Sequence, residues 1–424
     1  MLRDLAADPA TAGAAPPLGQ ADAAPLRVLF VQDHLGQSAD SIHGVTRYLL
    51  STLPALDRRT IEPSLCILTP WHPVGGPLLE AEGIEPVFLG RAKWDPRAAL
   101  DLIRLVRAGA IDLLHVSGFK AAMLGRIAAL ATGRAAIIHL HDARPMVPWV
   151  RLIQHRLAHG TDAAIVVSEA LRGVAVADYG MAPGRVQVLY NGVDCDAFAR
   201  VPADARSRVR QELDLAEDAR VIGIIGRIEP GKGFKPLLEA MPAVRARCPR
   251  AVLLVVGDGP TRPDYERLAQ QLGIGAAVRF TGFRRDVPEL LAAMDVMAAP
   301  AIAEEGLGYA VLEAMCAALP VVATRCGGLA ETVVHGETGL LVPKENVPEL
   351  ANALATILID EATRETFAAA ARRRSAAFSV AGHVDRLQAL YRQVARARQR
   401  QLDAAPPPAA PRRAQGAGSR GARA

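Results

Sequence analysis

Two acidic residues flank a glycine-containing turn in APAIAEEGLGYAVLEAMCAAL, residues 299–319. Glu305 precedes Gly306–Gly308, where a helix is expected to begin with its backbone uncovered by side chains. The free N–H groups at a helix start suit an anion or sugar hydroxyls. Glu313 lies in the middle of that helix, which is apolar on nearly all sides and is therefore expected to be buried. A buried carboxylate without a partner costs several kcal/mol, so Glu313 must have one. A helix cap followed by a core glutamate that is satisfied within the protein is the alternative that these residues leave open.

A second stretch whose residues could take part in chemistry is GRIEPGKG, residues 226–233. It nearly matches the phosphate-loop consensus G-x-x-x-x-G-K-[ST]. The apolar run VIGII precedes it and the helix-patterned FKPLLEAMPAV follows. Gly233 stands where that consensus has the hydroxyl that holds Mg²⁺, whereas Arg227 and Lys232 offer two cations for a diphosphate. A phosphate-loop hydrolase keeps some support from AVLLVVGD, which ends in Asp258 like a Mg²⁺-holding strand.

The composition indicates an enzyme-sized globular protein, since 424 residues allow two or more domains. The formal charge of +5 is concentrated in the Arg-rich last stretch, so the body is near neutral and no nucleic-acid partner is predicted. The five cysteines are odd in number and lack a C-x-x-C pair, which indicates buried or free thiols in a reducing compartment. No apolar run reaches the roughly 18 residues of a membrane span. We therefore expect a cytoplasmic protein.

Short apolar runs alternate with helix-patterned segments, which predicts an α/β protein with mostly parallel sheets. The chain does this twice. The first series is RVLFV, SLCILT, PVFL, IDLLHV, AAIIHL, AAIVV and VQVLY, and the second is VIGII, AVLLVV, AVRFT, MDVMAA, LPVVA and TGLLV. Two doubly wound, Rossmann-like domains facing each other across a cleft follow from this, with ligands at the carboxyl ends of the strands.

The domain boundaries are predicted from the polar linker between the two series and from the composition of the ends. They give a disordered leader (1–25), an N-terminal Rossmann-like domain (26–200), a C-terminal Rossmann-like domain (201–382), a C-terminal helix (383–400) that could pack on either domain, and a disordered Arg/Pro-rich tail (401–424).

Taken together, the motifs resemble those of the family-4 retaining glycosyltransferases of the GT-B fold. Glu305-Gly-Leu-Gly-x4-Glu313-Ala-Met resembles the family's E-x7-E signature, and GRIEPGKG resembles its donor loop. GGLAETVVHGETGLLVP, FTGFRRDVPELLAAMDVMAAP and VQVLYNGVDCDAF are similar to three further family blocks, and the set covers most of 186–343 in the expected order.

The resemblance implies a role for each matching residue. Arg227 and Lys232 would bind the donor diphosphate and stabilise its charge as the sugar departs, Glu313 would hold the ribose hydroxyls, and Glu305 would contact the donor sugar or phosphate. It assigns catalytic roles to His141, Arg227, Lys232 and Glu305, and donor binding to Gly44, Gly226, Arg284, Gly306, Leu307, Gly308 and Glu313. It implies no metal and no cofactor besides the nucleotide-sugar substrate.

The N-terminal half departs further from the family. Many members have a Gly-Gly pair near the first strand, where this chain has His43-Gly44, so only Gly44 carries over. IIHLHDARP, residues 137–145, resembles the family's strand that ends in histidine, and His141 is the better match because it falls at the strand end. His139 and His115 are expected to be structural.

The resemblance implies transfer of a sugar, with retention, from a UDP- or GDP-linked donor to a glycan or lipid-linked acceptor in cell-surface polysaccharide synthesis. A phosphorylase, an epimerase or a disaccharide synthase of the same fold remains open, as does a catalytically inactive nucleotide-sugar-binding protein. Two less supported alternatives are a metal hydrolase built on His139, His141 and Asp142, and a metal-binding D-x-D at Asp194–Asp196.

A membrane surface is a further candidate partner, on the inner face of the cell membrane. PMVPWVRLIQHRLAHG, residues 145–160, places Trp149, Val150, Ile153 and Leu157 near two arginines, as interfacial helices do. An ordinary helix on a domain face is the alternative.

Overall fold

The structure, a computed structural model, describes residues 24–36, 42, 44–92, 95–143 and 145–404. The predicted leader, apart from its last two residues, and the tail beyond 404 lie outside this range, as does His43. The remainder forms two parallel sheets with helices packed on them, so the α/β prediction with two doubly wound units is confirmed.

The first sheet has seven strands within the described residues, in the order β3-β2-β1-β4-β5-β6-β7. Each predicted run of the first series forms one of them, because an apolar run covered by helices on both faces buries every side chain, as in the fully buried β5. Their bounds are β1 Leu26–Gln32, β2 Ile61–Ile67, β3 Val87–Phe88, β4 Leu113–Ser117, β5 Ala135–Leu140, β6 Ala163–Val166 and β7 Val186–Val188.

The second sheet, formed entirely inside the range 145–404, contains the six runs of the second series in the order β10-β9-β8-β11-β12-β13. Their bounds are β8 Arg220–Ile225, β9 Ala251–Val256, β10 Val278–Phe280, β11 Val296–Ala299, β12 Val321–Thr324 and β13 Gly339–Val342. In both sheets the first strand of the series lies in the interior and the order reverses beside it, which places ligand crevices at the carboxyl ends of β1 and β8.

Helices connect the strands on both faces. In the first half they are α1 Gly44–Ala55, α2 Gly75–Ala81, α3 Arg97–Ala108, α4 Phe119–Thr132, α5 Pro148–Ala158, α6 Arg172–Ala177, α7 Cys195–Ala199 and α8 Ala205–Glu212. In the second half they are α9 Phe234–Arg247, α10 Arg262–Gln271, α11 Val287–Ala292, α12 Tyr309–Cys316, α13 Leu329–Thr332, α14 Val347–Ile359, α15 Glu361–Ser375 and α16 Val380–Ala404.

The last helix, α16, returns to the first half of the chain. It is observed over Val380–Ala404 where the sequence predicted 383–400. Its buried residues Leu387, Leu390 and Tyr391 join the core cluster that contains Phe30 of β1. The question of which half this helix covers, left open by the sequence, is therefore answered in favour of the N-terminal half.

The cysteines differ from the sequence-based expectation. Cys195 of α7 and Cys316 of α12 form a disulfide with their Cα atoms 5.0 Å apart, while Cys66, Cys248 and Cys326 are free and buried. The two partners are 121 residues apart in the chain, so only the docking of the linker against the second half brings them together.

The helix α5 divides its apolar residues between two faces. Val150 and Leu157 are buried against the domain, whereas Trp149 is 60% exposed and Leu152 59%. The predicted lipid-facing set is thus wrong for Val150 and Leu157, because packing on the sheet takes those side chains. In the described part of the chain, no helix is both long enough and apolar enough to cross a membrane.

Candidate active site

A cavity of about 630 Å³ lies between the two halves, at the carboxyl ends of both sheets. A volume of this size accommodates a small organic ligand. Every residue that the sequence assigned to the site borders it: Gly44, His141, Gly226, Arg227, Lys232, Arg284, Glu305, Gly306, Leu307, Gly308 and Glu313. The residues are thus brought together as expected, while their individual roles stay predictions.

The loop after β8 requires glycine at its last position for a steric reason. Gly233 has φ 81°, and a Cβ there would lie 1.8 Å from the Pro300 carbonyl oxygen. A serine or threonine could not occupy this position without moving backbone. The loop therefore differs from a phosphate loop in its packing as well as in the missing hydroxyl.

The two cations of this loop are paired with carboxylates. The Lys232 ammonium donates to Glu305 Oε1 at 2.6 Å, and the Arg227 guanidinium pairs with Glu229. Lys232 retains 36% side-chain exposure and Arg227 31%, so both can be reached from the cavity. The pairing between Lys232 and Glu305 links the donor loop directly to the glycine turn before α12.

The glycine turn before α12 packs closely on its neighbours. A Cβ on Gly306 would lie 1.9 Å from the His141 carbonyl oxygen, and one on Gly308, at φ 79°, would lie 2.4 Å from Leu329. The Gly328 N–H donates to the Glu305 carbonyl at 2.9 Å and fixes the turn from the other side. The first amides of α12 consequently border the cavity without side chains over them.

Glu313 is buried in α12 as predicted, and its partner comes from the opposite half of the chain. The carboxylate is 6% exposed, and its Oε1 pairs with the Arg47 guanidinium from the first turn of α1. Its Oε2 has no hydrogen-bond partner among the described residues. Sequence reasoning missed Arg47. The available signal was an arginine three residues after Gly44 on an otherwise apolar-striped helix.

His141 follows β5 at the cavity wall. Its Nδ1 lies 3.4 Å from Asn191 Nδ2, and its ring centroid is 3.9 Å from that of His139. The ring of Tyr48 lies 5.1 Å from both histidine rings. His141 is therefore fixed in place by packed rings as well as by the end of its strand.

Behind His141, the structural assignment of His139 and His115 agrees with their burial. His115 Nε2 is 3.1 Å from His139 Nδ1, and His115 Nδ1 is 2.7 Å from the Tyr391 hydroxyl of α16. Burial lowers the pKa of His115 to about 3, and it lowers the pKa of His139 well below the usual value. Both rings are neutral at physiological pH, and this hydrogen-bonded chain connects α16 to the cavity wall.

Gly44 and Arg284 are two of the predicted donor-binding residues. Gly44 is the first residue of α1 and borders the cavity. Arg284 borders it as well, but its guanidinium is held by Asp286, with Nε to Oδ1 at 2.8 Å, and by Glu212. The hydrogen bonds that its guanidinium donates to these two carboxylates raise the Arg284 pKa. Its proposed place beside the donor base therefore stays a prediction.

Asp33, at the end of β1, is a further cavity residue that the sequence analysis missed. It accepts hydrogen bonds from the Lys120 and Ala121 amides at 3.0 and 2.5 Å and so caps α4. Burial raises its pKa. Gly118 has φ 97°, and a Cβ there would lie 2.7 Å from Asp33 Cγ, so this turn also requires glycine.

The metal-based alternatives find no support in the arrangement of side chains. Across the described ranges, no three His, Cys, Asp or Glu residues are grouped as metal ligands would be. Asp194 accepts from the Asp196 amide at 3.0 Å as the N-cap of α7, and Cys195 between them is in the disulfide. The D-x-D resemblance is therefore a helix cap.

The two halves are joined by further contacts beside the cavity. Glu331 of α13 accepts from the Glu169 and Ala170 amides at 2.9 Å each and from the Tyr190 hydroxyl at 3.0 Å. The Tyr309 hydroxyl donates to the Gly192 carbonyl at 3.1 Å. These contacts hold the carboxyl ends of the sheets together around the cavity.

Two doubly wound domains, a cleft at their facing strand ends, and a cationic loop beside a glycine-opened helix define a glycosyltransferase of the GT-B class. Two family models match the chain: "Glycosyltransferase Family 4" over residues 42–197 and "Glycosyl transferases group 1" over residues 205–374. The chain belongs to the family-4 glycosyltransferases, and it is a hexosyltransferase.

Curated relatives and solved structures agree with this membership. The GDP-mannose-dependent alpha-(1-6)-phosphatidylinositol monomannoside mannosyltransferase of Mycobacterium tuberculosis is 34% identical over 279 residues, 64% of this chain and 70% of that protein. The D-inositol 3-phosphate glycosyltransferase of Corynebacterium glutamicum is 32% identical over 57% of this chain and 59% of its own length. Anabaena HepE in complex with UDP and glucose superposes with a TM-score of 0.77 at 25% identity, over 87% of this chain and 100% of that one.

Proposed function

We propose that this enzyme transfers a hexose, with retention of anomeric configuration, from a nucleoside-diphosphate sugar to a glycan or lipid-linked acceptor. The observation that carries the proposal is the convergence of Arg227, Lys232, the start of α12 and Glu313 on one cavity. Cations and open helix amides suit a diphosphate, and a buried carboxylate suits a ribose diol.

The diphosphate binds to the loop after β8. In the structure Lys232 is paired with Glu305 and Arg227 with Glu229, so each cation already holds an anionic oxygen that phosphate oxygens can replace or join. Charge-assisted hydrogen bonds of this kind contribute about 1.5–3 kcal/mol each. As the bond from sugar to phosphate breaks, negative charge grows on the leaving diphosphate, and these two cations stabilise it without a metal ion.

The transferred sugar lies between Glu305 and His141. The Gly306 turn presses on the His141 carbonyl, so the two residues border the same part of the cavity. Glu305 orients the sugar at the reacting centre, whereas Glu313 contributes ground-state affinity through the ribose. Glu305→Gln should therefore lower kcat more than it raises KM for the donor, and Glu313→Gln should do the reverse. Equal effects of both variants on both parameters would contradict this division.

The donor base is uracil or guanine. One relative is GDP-mannose-dependent and one structural neighbour binds UDP-glucose. Assaying GDP-mannose and UDP-glucose, each with sugar and lipid-linked acceptors, tests the proposed reaction. Sugar transfer supports it. Donor binding without turnover would support an inactive nucleotide-sugar-binding protein, and sugar phosphate formed from a glycan and phosphate would support a phosphorylase.

The acceptor is presented at the inner face of the cell membrane, where cell-surface polysaccharides are assembled. The support is the exposed apolar set Val147, Trp149 and Leu152 at α5, beside the exposed Arg156. Trp149→Ser with Leu152→Ser should reduce co-sedimentation with anionic vesicles, whereas Leu100→Ser, on the exposed face of α3, should not. Equal binding of all three proteins, or none by the native protein, would favour a water-soluble acceptor.

A further inference from the structure

Two pairs of side chains join α1 and α12 across the cleft at the donor site. Arg47 pairs with Glu313, and one helical turn along both helices the Ser51 hydroxyl lies 3.4 Å from the Tyr309 hydroxyl. Arg47 and Ser51 are four residues apart, as are Tyr309 and Glu313, so each helix presents one face to the other.

The Arg47 contact leaves half of the Glu313 carboxylate available. Arg47 engages Oε1, while Oε2 is buried with no hydrogen-bond donor among the described residues. An ionised carboxylate can accept about four hydrogen bonds. A buried acceptor without a partner is unfavourable, and a hydrogen bond from a ligand hydroxyl would remove that penalty. The guanidinium fixes the orientation of the Glu313 carboxylate, which lines the cavity, and leaves Oε2 without a partner for a ligand hydroxyl to satisfy.

We propose that Arg47 is a positioning residue for recognition of the donor's ribose, supplied by the opposite domain. It acts through Glu313 and sets the enzyme's preference for a ribose diol over a deoxyribose. The inference rests on the proposed nucleotide-sugar site and adds to it that ribose recognition requires both halves of the chain. An open cleft, in which Arg47 leaves Glu313, would bind the diphosphate but lose discrimination at the ribose.

The test measures binding of UDP and GDP by calorimetry, each against its 2′-deoxy and 3′-deoxy forms. For the nucleotide that binds, the native protein should prefer the ribonucleotide by about tenfold or more, since one charge-assisted hydrogen bond of 1.5–3 kcal/mol corresponds to that ratio. Arg47→Gln should reduce the preference to about threefold or less, Arg47→Lys should restore part of it, and Ser51→Ala should leave it unchanged. The double variant with Arg47→Gln and Glu313→Gln should show no smaller ribonucleotide preference than Glu313→Gln alone.

Each contrary result has a distinct meaning. Full ribose preference in Arg47→Gln, additive losses in the double variant, or an equal loss in Ser51→Ala would overturn the role of Arg47 while leaving the proposed function intact. A native protein that binds neither UDP nor GDP would contradict the proposed function, and this inference with it.

Discussion

Gly306 of the second half packs on the main-chain carbonyl of His141 in the first half, so closely that a Cβ on residue 306 would lie 1.9 Å from the oxygen. The residues proposed to flank the transferred sugar are His141 itself and Glu305, which directly precedes Gly306. The closeness of the contact makes the geometry of the reacting centre depend on the distance between the two domains.

The first prediction concerns this contact. Gly306→Ala should push the halves apart by about 1 Å, since the 1.9 Å approach must lengthen to at least 3.0 Å, and should lower kcat about 100-fold, because misplacement of reacting groups by about 1 Å has an effect of that size. Gly173→Ala in α6, where a Cβ would meet nothing within 4 Å, is the matched control and should retain activity. Native-like kcat in Gly306→Ala would show that the contact does not set the geometry of the site.

The second prediction separates the donor-loop lysine from a neighbouring ion pair. Lys232→Ala should lower kcat by about 10²–10³, the usual effect of removing one preorganised donor from a site of developing charge. Lys344→Ala removes the partner of Glu304, which is adjacent to Glu305, and should change kcat less than threefold. Similar losses in both variants would mean that the effect comes from local electrostatics and not from contact with the diphosphate.

The third prediction follows from the buried histidines. Burial lowers the pKa of His383 to about 4, from an unfolded value near 6.5. Between these values the unfolded chain binds a proton that the folded protein excludes, so stability falls as pH drops from 6.5 towards 4. Each such histidine contributes a slope of up to about 1.4 kcal/mol per pH unit.

Urea unfolding at pH 7.5, 6 and 5 checks this dependence. His383→Asn should be less stable at pH 7.5 but should lose less stability on acidification. The variant has one fewer histidine that binds a proton in the unfolded chain and not in the folded protein. His159→Asn, which changes an exposed histidine, should keep the native slope. An unchanged slope in His383→Asn would mean that this ring does not stay neutral in the folded protein.

The sequence predicted the sheets well because most strands are largely buried between helices and so appear as apolar runs. The residues that the family resemblance assigned to the site do border the cavity, and among them Gly306 and Gly308 are required by close approaches that a Cβ would block. Arg47 was missed because its partner Glu313 is 266 residues away, and nothing local indicates that pairing. The same holds for the Cys195–Cys316 disulfide and for the packing of α16 on the first sheet. Tertiary contacts alone determine which cysteines pair and which half of the chain the helix covers.

Arg227 and Lys232 are proposed to stabilise the leaving diphosphate during a retaining transfer without a metal. The most direct measurement is the one-bond C1–H1 NMR coupling at the anomeric carbon of a product formed from GDP-mannose or UDP-glucose in the presence of EDTA. We expect a product with the anomeric configuration of the donor, formed at the rate seen without chelator. An inverted product, or Mg²⁺-dependent hydrolysis of ATP or GTP with no transfer of sugar, would contradict it.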